Sequence, residues 1–104
     1  MSSYSIEITE PAESDLFEIG DYIAKELKEP DIAEKVVDRI SEAIFDLEEM
    51  PYRHGLVADE TLAVQGIRKL VVEKHTVFYH INEEYTTVTI IRILYNRRDW
   101  INLL

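Results

Sequence analysis

The residues best suited to chemistry gather towards the carboxyl end of the chain. They are Arg68, Lys69, Lys74, Arg92, Arg97 and Arg98, with Tyr95 and Trp100 among them. Guanidinium groups grip phosphates and carboxylates through paired N–H donors, and aromatic rings beside them can stack on a base. Arg97 and Arg98 are adjacent, and two neighbouring guanidiniums call for anionic company. The expected target-binding set is therefore Arg68, Lys69, Arg92, Tyr95, Arg97, Arg98 and Trp100. A competing reading gives Arg92 a structural part, paired with a helix carboxylate such as Asp15 or Asp21, and has Trp100 pin the tail to the core.

Other chemistries find little material. His75 and His80 are five residues apart in a predicted strand, which puts them on opposite faces and prevents a shared metal. His54 has no carboxylate pattern beside it. No metal and no cofactor are expected. The chain has no cysteine, so thiolate chemistry and disulfides are absent. Its three glycines, Gly20, Gly55 and Gly66, are too scattered for a phosphate-cradling loop. None of its serines sits in a nucleophile elbow. The doublets Glu48-Glu49 and Glu83-Glu84 read as solvated carboxylates at a helix end and a turn.

Eleven basic and 21 acidic side chains give a formal net charge of −10, which argues against general polyanion binding. The charge is uneven. Residues 1–64 carry 5 bases and 17 acids, whereas residues 65–104 carry 6 bases and 4 acids. An anionic ligand should meet the second part, and the first should be a solvated surface or meet a basic partner. With 104 residues, 46% of them hydrophobic, one domain spanning 1–104 is expected. No apolar run is long enough to span a membrane, and the first residues lack the blocks of a signal peptide. A cytoplasmic protein without membrane contact is the expectation.

These side chains must be positioned by elements that the patterning outlines. Tyr4 to Thr9 alternates as a short strand. Thr9-Glu10-Pro11 starts a helix whose apolar stripe is Ala12, Leu16, Ile19, Ile23 and Leu27. Lys28-Glu29-Pro30 breaks it. Asp31 is the expected N-cap of a second helix, with Glu34 in capping-box position. Ala33, Val36 or Val37, Ile40, Ile44 and Leu47 form its stripe, and Pro51 should end it. Residues 52–65 read as a loop. Ile67 to Val72, His75 to Asn82 and Thr87 to Tyr95 read as strands, with Asn82-Glu83-Glu84-Tyr85 as a turn. On the last strand, simple alternation puts Arg92 in one row with Val88, Ile90 and Leu94. Arg97 to Leu104 should form a short terminal helix or tail. The whole predicts an α+β fold, a helical hairpin packed on a mostly antiparallel four-stranded sheet.

The chain resembles the RelE/ParE superfamily, the toxin halves of bacterial type II toxin–antitoxin pairs. The resemblance rests on Ile8-Thr9-Glu10-Pro11-Ala12, Asp21-Tyr22-Ile23-Ala24, Gly66-Ile67-Arg68-Lys69-Leu70, Val77-Phe78-Tyr79-His80-Ile81 and Arg92 to Trp100, in that order and spacing. It implies the family's β-α-α-β-β-β fold and a role in plasmid stabilization and growth inhibition. It also implies neutralisation by a cognate antitoxin, and contact with operator DNA only through that antitoxin. A homodimer or a toxin–antitoxin hetero-oligomer would fit it. RelE-like members are metal-independent mRNA interferases acting on the ribosome. ParE-like members inhibit DNA gyrase without chemistry of their own. If this chain were a nuclease, Arg68, Lys69, His75, Arg97 and Arg98 would carry the reaction, with His80 as another candidate base. The family's Tyr-Arg pair is matched here by His75-Thr76, and a further arginine position by Asn96. Trp100, at an aromatic position, cannot act as a phenolic acid or base. The resemblance therefore leans to a ParE-like gyrase inhibitor, with a RelE-like nuclease or an inactive antitoxin-binding member as alternatives. The exposed apolar side of the acidic hairpin would suit an amphipathic basic segment of the antitoxin.

Overall fold

In the computed structural model, which describes residues 3–96 and 103–104, the chain opens in strand β1 (Ser5–Ile8). Helix α1 (Glu10–Lys25) follows at once. Thr9 caps it by accepting a hydrogen bond from the Ala12 amide (3.3 Å), and Pro11 sits in the first turn, where no N–H is required. Glu10 and Glu13 complement the positive end of the helix dipole. The stripe's last member, Leu27, lies beyond the helix and is exposed.

Helix α2 (Pro30–Phe45) begins one residue before the expected cap at Asp31. Glu29 is the N-cap and makes no side-chain capping bond, and Pro30 takes the first helical position, which its fixed φ suits. The helix also stops well short of Pro51. Its end tightens into a 3-10 turn, Asp46–Glu48, which still delivers Leu47 to the core. Met50 then adopts a left-handed conformation (φ 55), and a second 3-10 turn runs from Pro51 to Arg53. Residues 52–65 are not merely a loop. They contain helix α3 (Glu60–Val64), capped by Asp59, whose carboxylate accepts from the Leu62 amide at 3.0 Å.

The remaining strands are β2 (Arg68–Val72), β3 (His75–Asn82) and β4 (Thr87–Tyr95). The turn between β3 and β4 is held by Asn82 Oδ1, which accepts from the Tyr85 amide (3.1 Å). Sheet order is β1-β4-β3-β2, with β1 parallel to β4 and the other pairs antiparallel. The helical hairpin carries the chain across the sheet from β1 at one edge towards β2 at the other, and β3 and β4 then fill the space between them. The expected α+β architecture is the one observed. The C-terminal helix expected from Arg97 falls largely outside the described residues.

The hairpin covers one face of the sheet. Ala12, Ile40, Ile44 and Leu47 pack there with Leu70, Val77, Tyr79, Val88, Ile90 and Ile93. A smaller cluster on the other face joins Phe78 and Leu94 to Val57, Ile67, Leu62, Ala63 and Leu103. Strict alternation fails once, in β4. Phe78 faces Arg92 but its neighbour Tyr79 faces Ile90, so Ile91 is an extra residue in a β-bulge. Arg92 and Leu94 are thereby carried to the Phe78 face, while Val88 and Ile90 stay under the hairpin. The single row expected for Arg92 is split by that bulge.

Candidate functional site

The sheet register decides where the expected cationic set can converge. Arg68 pairs with Tyr79 and Tyr95 pairs with His75, so both lie on the hairpin-covered face. Lys69 and Arg92 flank Phe78 on the opposite face, two strand spacings apart, roughly 10 Å. The rows of Arg68 and Tyr95 are separated by four residues along the strands, roughly 13 Å. The described members of the set therefore divide between two faces. Arg97, Arg98 and Trp100 lie outside the described residues.

Each arginine of the set that the structure describes has an internal role. Arg92 donates from Nε and Nη2 to both carboxylate oxygens of Asp15 (2.6 and 2.8 Å) and from Nη1 to the Leu103 carbonyl (3.0 Å). Hydrogen bonding to Asp15 raises its pKa above the ordinary arginine value. The pairing with Asp15, one of two carboxylates foreseen, has a reason in the topology. Strand β1 ends where Ile8 pairs with Ile90, which leaves the rest of β4 with an open edge. Thr9 continues the pairing along that edge, its amide donating to the Ile90 carbonyl (3.1 Å) and its hydroxyl to the Ile91 carbonyl (2.9 Å). Asp15 then accepts from the Ile93 amide (3.0 Å). Arg92 is a strut between helix, strand and chain end.

Arg68 is held on the loop before it. Its Nη1 donates to the His54 carbonyl (2.7 Å), and its guanidinium carbon lies 4.8 Å from the centre of the Tyr52 ring. The Tyr52 hydroxyl donates to Glu83 (2.5 Å), as does that of Tyr4 (2.6 Å). Those bonds from Tyr4 and Tyr52 hold Glu83 below the usual carboxylate range and lift Tyr4 to about 12. The loop, the β3–β4 turn and the residue before β1 are thus joined by one carboxylate. Lys69 is exposed.

The histidines are separated as expected. His75 is buried against Tyr95, and burial pushes it below the ordinary imidazole value. His80 lies on the other face, its ring 3.4 Å from where a Cβ at Gly66 would stand. Gly66 has φ +83, a conformation that favours glycine. Burial, and then the charge of Arg53, lowers His54. Among the described residues, no three His, Asp or Glu side chains come together as metal ligands.

A second feature lies on the outer side of the hairpin. Leu16, Phe17, Gly20 and Ala24 of α1 face Ala33 and Val37 of α2 across an open groove of about 560 Å³. Glu13, Asp21 and Glu34 rim it, and Phe17 is 72% exposed. Gly20 sets its depth, because a Cβ there would stand 3.0 Å from Val37 Cγ2. The exposed apolar side was foreseen as a whole, but not these residues. The signal for them is Phe17, an aromatic residue off the buried stripe.

A mixed sheet of order β1-β4-β3-β2, covered on one face by a helical hairpin, is the fold expected of the RelE/ParE superfamily. The model of the ParE toxin of the type II toxin–antitoxin system parDE matches residues 6–100, and the chain belongs to that family. The structure is similar to the chromosomal ParDE toxin–antitoxin system of P. aeruginosa, with 25% identity and a TM-score of 0.74 over 91% of this chain and 98% of that one. It shares its fold with the toxin–antitoxin complex RelBE2 of Mycobacterium tuberculosis, at 24% identity and a TM-score of 0.66, covering 92% and 94% of the two chains. A mutant E. coli toxin RelE in the free state has the same fold at 12% identity and a TM-score of 0.67, covering 97% and 92%. No curated protein matches the chain. Among the described residues, no helix is long and apolar enough to cross a membrane.

Proposed function

We propose that this toxin stops growth by binding DNA gyrase and performs no chemistry of its own. The observation that carries the reading is the fixed employment of Arg68 and Arg92, the arginines of the candidate set among the described residues. Metal-independent cleavage of RNA needs several cations aimed at one phosphate. Here Arg92 is bonded to Asp15 and Leu103, Arg68 is bonded to His54 and stacked on Tyr52, and Lys69 lies on the opposite face from Arg68. His75, the candidate base, is buried. The acidic surface also opposes docking on ribosomal RNA.

The deciding experiment pairs two assays on the purified chain. Supercoiling by gyrase should be inhibited at micromolar toxin, while mRNA on programmed ribosomes stays intact. Cleaved mRNA that becomes intact with Arg97→Ala/Arg98→Ala would establish the nuclease instead. Unimpaired growth on induction, with neither effect, would leave an inactive antitoxin-binding member.

The matching systems named above pair a toxin with an antitoxin, and we place the contact of this chain's cognate antitoxin on the hairpin groove. An apolar floor with three carboxylates on its rim suits an amphipathic basic helix. Operator DNA would be reached through that antitoxin.

A further inference from the structure

His75 opens β3 with 8% of its surface exposed, and its buried Nδ1 has no hydrogen-bond partner among the described residues. Its ring meets that of Tyr95 edge-on, with centroids 5.6 Å apart and planes at 81°. A neutral imidazole tolerates this place because one of its nitrogens is only an acceptor. A protonated imidazole does not, since both nitrogens must then donate, and a buried donor without an acceptor is costly.

The groups around it offer little relief. Glu73, in the turn between β2 and β3, is the carboxylate that favours its charged form. Glu73 is already bonded to Arg39 of α2. From β4 comes the ring of Tyr95, which meets the imidazole edge-on. Beside His75 lies the clasp that closes the end of the sheet. The Thr76 hydroxyl donates to Asn96 Oδ1 (2.5 Å), and the Asn96 amide donates to the Lys74 carbonyl (2.8 Å).

We propose that His75 is a pH-sensitive latch on the end of β4: neutral, it lets Tyr95 and Asn96 close onto β3, and protonated, it drives them apart. The latch goes beyond the gyrase reading and does not depend on which target the toxin meets. The sign follows from burial. His75 is held below its unfolded value of about 6.5, so the unfolded or opened state binds the proton more readily. Closure is fully stable above about pH 6.5 and weakens as pH falls towards the folded-state value.

The test uses the full chain and two NMR readouts between neutral pH and the onset of acid unfolding. Imidazole spectra should show His75 titrating below the ordinary histidine value. Amide exchange, expressed as protection factors, should show Asn96 losing protection several-fold as His75 gains its proton. The Thr9 amide, which donates to Ile90 near the middle of β4, away from the clasp, should keep its protection over the same range. His75→Phe should make Asn96 protection independent of pH, and His75→Gln should do the same if the larger ring disturbs folding. Titration of His75 at or above the ordinary value would overturn the latch. So would flat protection at Asn96 in the wild type, a parallel fall at Thr9, or an unchanged pH response in both variants.

Discussion

Asp15 shows how one side chain can replace a missing strand. It is 8% exposed, accepts two bonds from Arg92 and a third from the Ile93 amide, and so completes the edge of β4 that β1 leaves open. Removing it strands a guanidinium and an amide together. Breaking such a pair costs about 3–5 kcal/mol when both partners are buried, and the Arg92 side chain is 26% exposed, which places Asp15→Ala nearer about 2–3 kcal/mol. Asp15→Asn keeps an acceptor for Ile93 and should lose roughly half as much. Urea unfolding midpoints at constant slope would check both, and equal losses would show that the amide bond contributes nothing. Tyr79 is a smaller case of the same kind. Its buried hydroxyl donates to the Pro51 carbonyl at 2.6 Å, and burial raises its pKa to about 12. Tyr79→Phe leaves that carbonyl without its donor, and a loss of about 1 kcal/mol is expected in the same measurement.

At the scale of elements, the hairpin has two apolar sides with different work. The inner stripe, Ala12, Ile40, Ile44 and Leu47, anchors the sheet. The outer groove, with Phe17 at its mouth, is left open by the described residues. Phe17→Asp should change stability by no more than about 0.5 kcal/mol, because that ring is mostly in water. The same substitution should weaken antitoxin binding at least about tenfold by calorimetry, as loss of an aromatic anchor does. Unchanged affinity would move the antitoxin to another surface. Sequence made the inner stripe legible because helical spacing and burial coincide there. The three later strands were legible because their residues are β-branched and aromatic between clear turns. The bulge at Ile91 was not, although the doublet Ile90-Ile91 breaks the alternation of Thr87 to Ile90, because two adjacent apolar residues equally suit a strand covered on both faces, and the register shift shows only where β4 meets β3. Helix α3 was missed although Asp59 caps it, because a five-residue helix carries too little periodicity to stand out. The candidate site suffered most from the bulge. It sends Arg92 to the Phe78 face, where Asp15 reaches it around the free edge of β4.

For the whole molecule, the uneven charge becomes a direction. The 17 acids and 5 bases of residues 1–64 include all of the hairpin, and the groove rim of Glu13, Asp21 and Glu34 belongs to that half. A field of this sign should draw a basic partner segment to the hairpin and repel nucleic acid from it. Attraction between exposed charges fades as salt shortens the screening length, from about 30 Å at 0.01 M to about 3 Å at 1 M. Association of the antitoxin should therefore slow by at least about tenfold across that range, while its dissociation changes less. Stopped-flow fluorescence of Trp100 or of a label on the antitoxin would follow both rates. The neutralised variant Glu13→Gln/Asp21→Asn/Glu34→Gln separates two origins of the effect. If the rim steers the partner, the salt dependence shrinks in the variant. If the overall charge of −10 steers it, wild type and variant slow together. A wild-type rate that ignores salt would mean that the partner is drawn by the apolar floor alone, and that the acidic half of the chain is there for solubility.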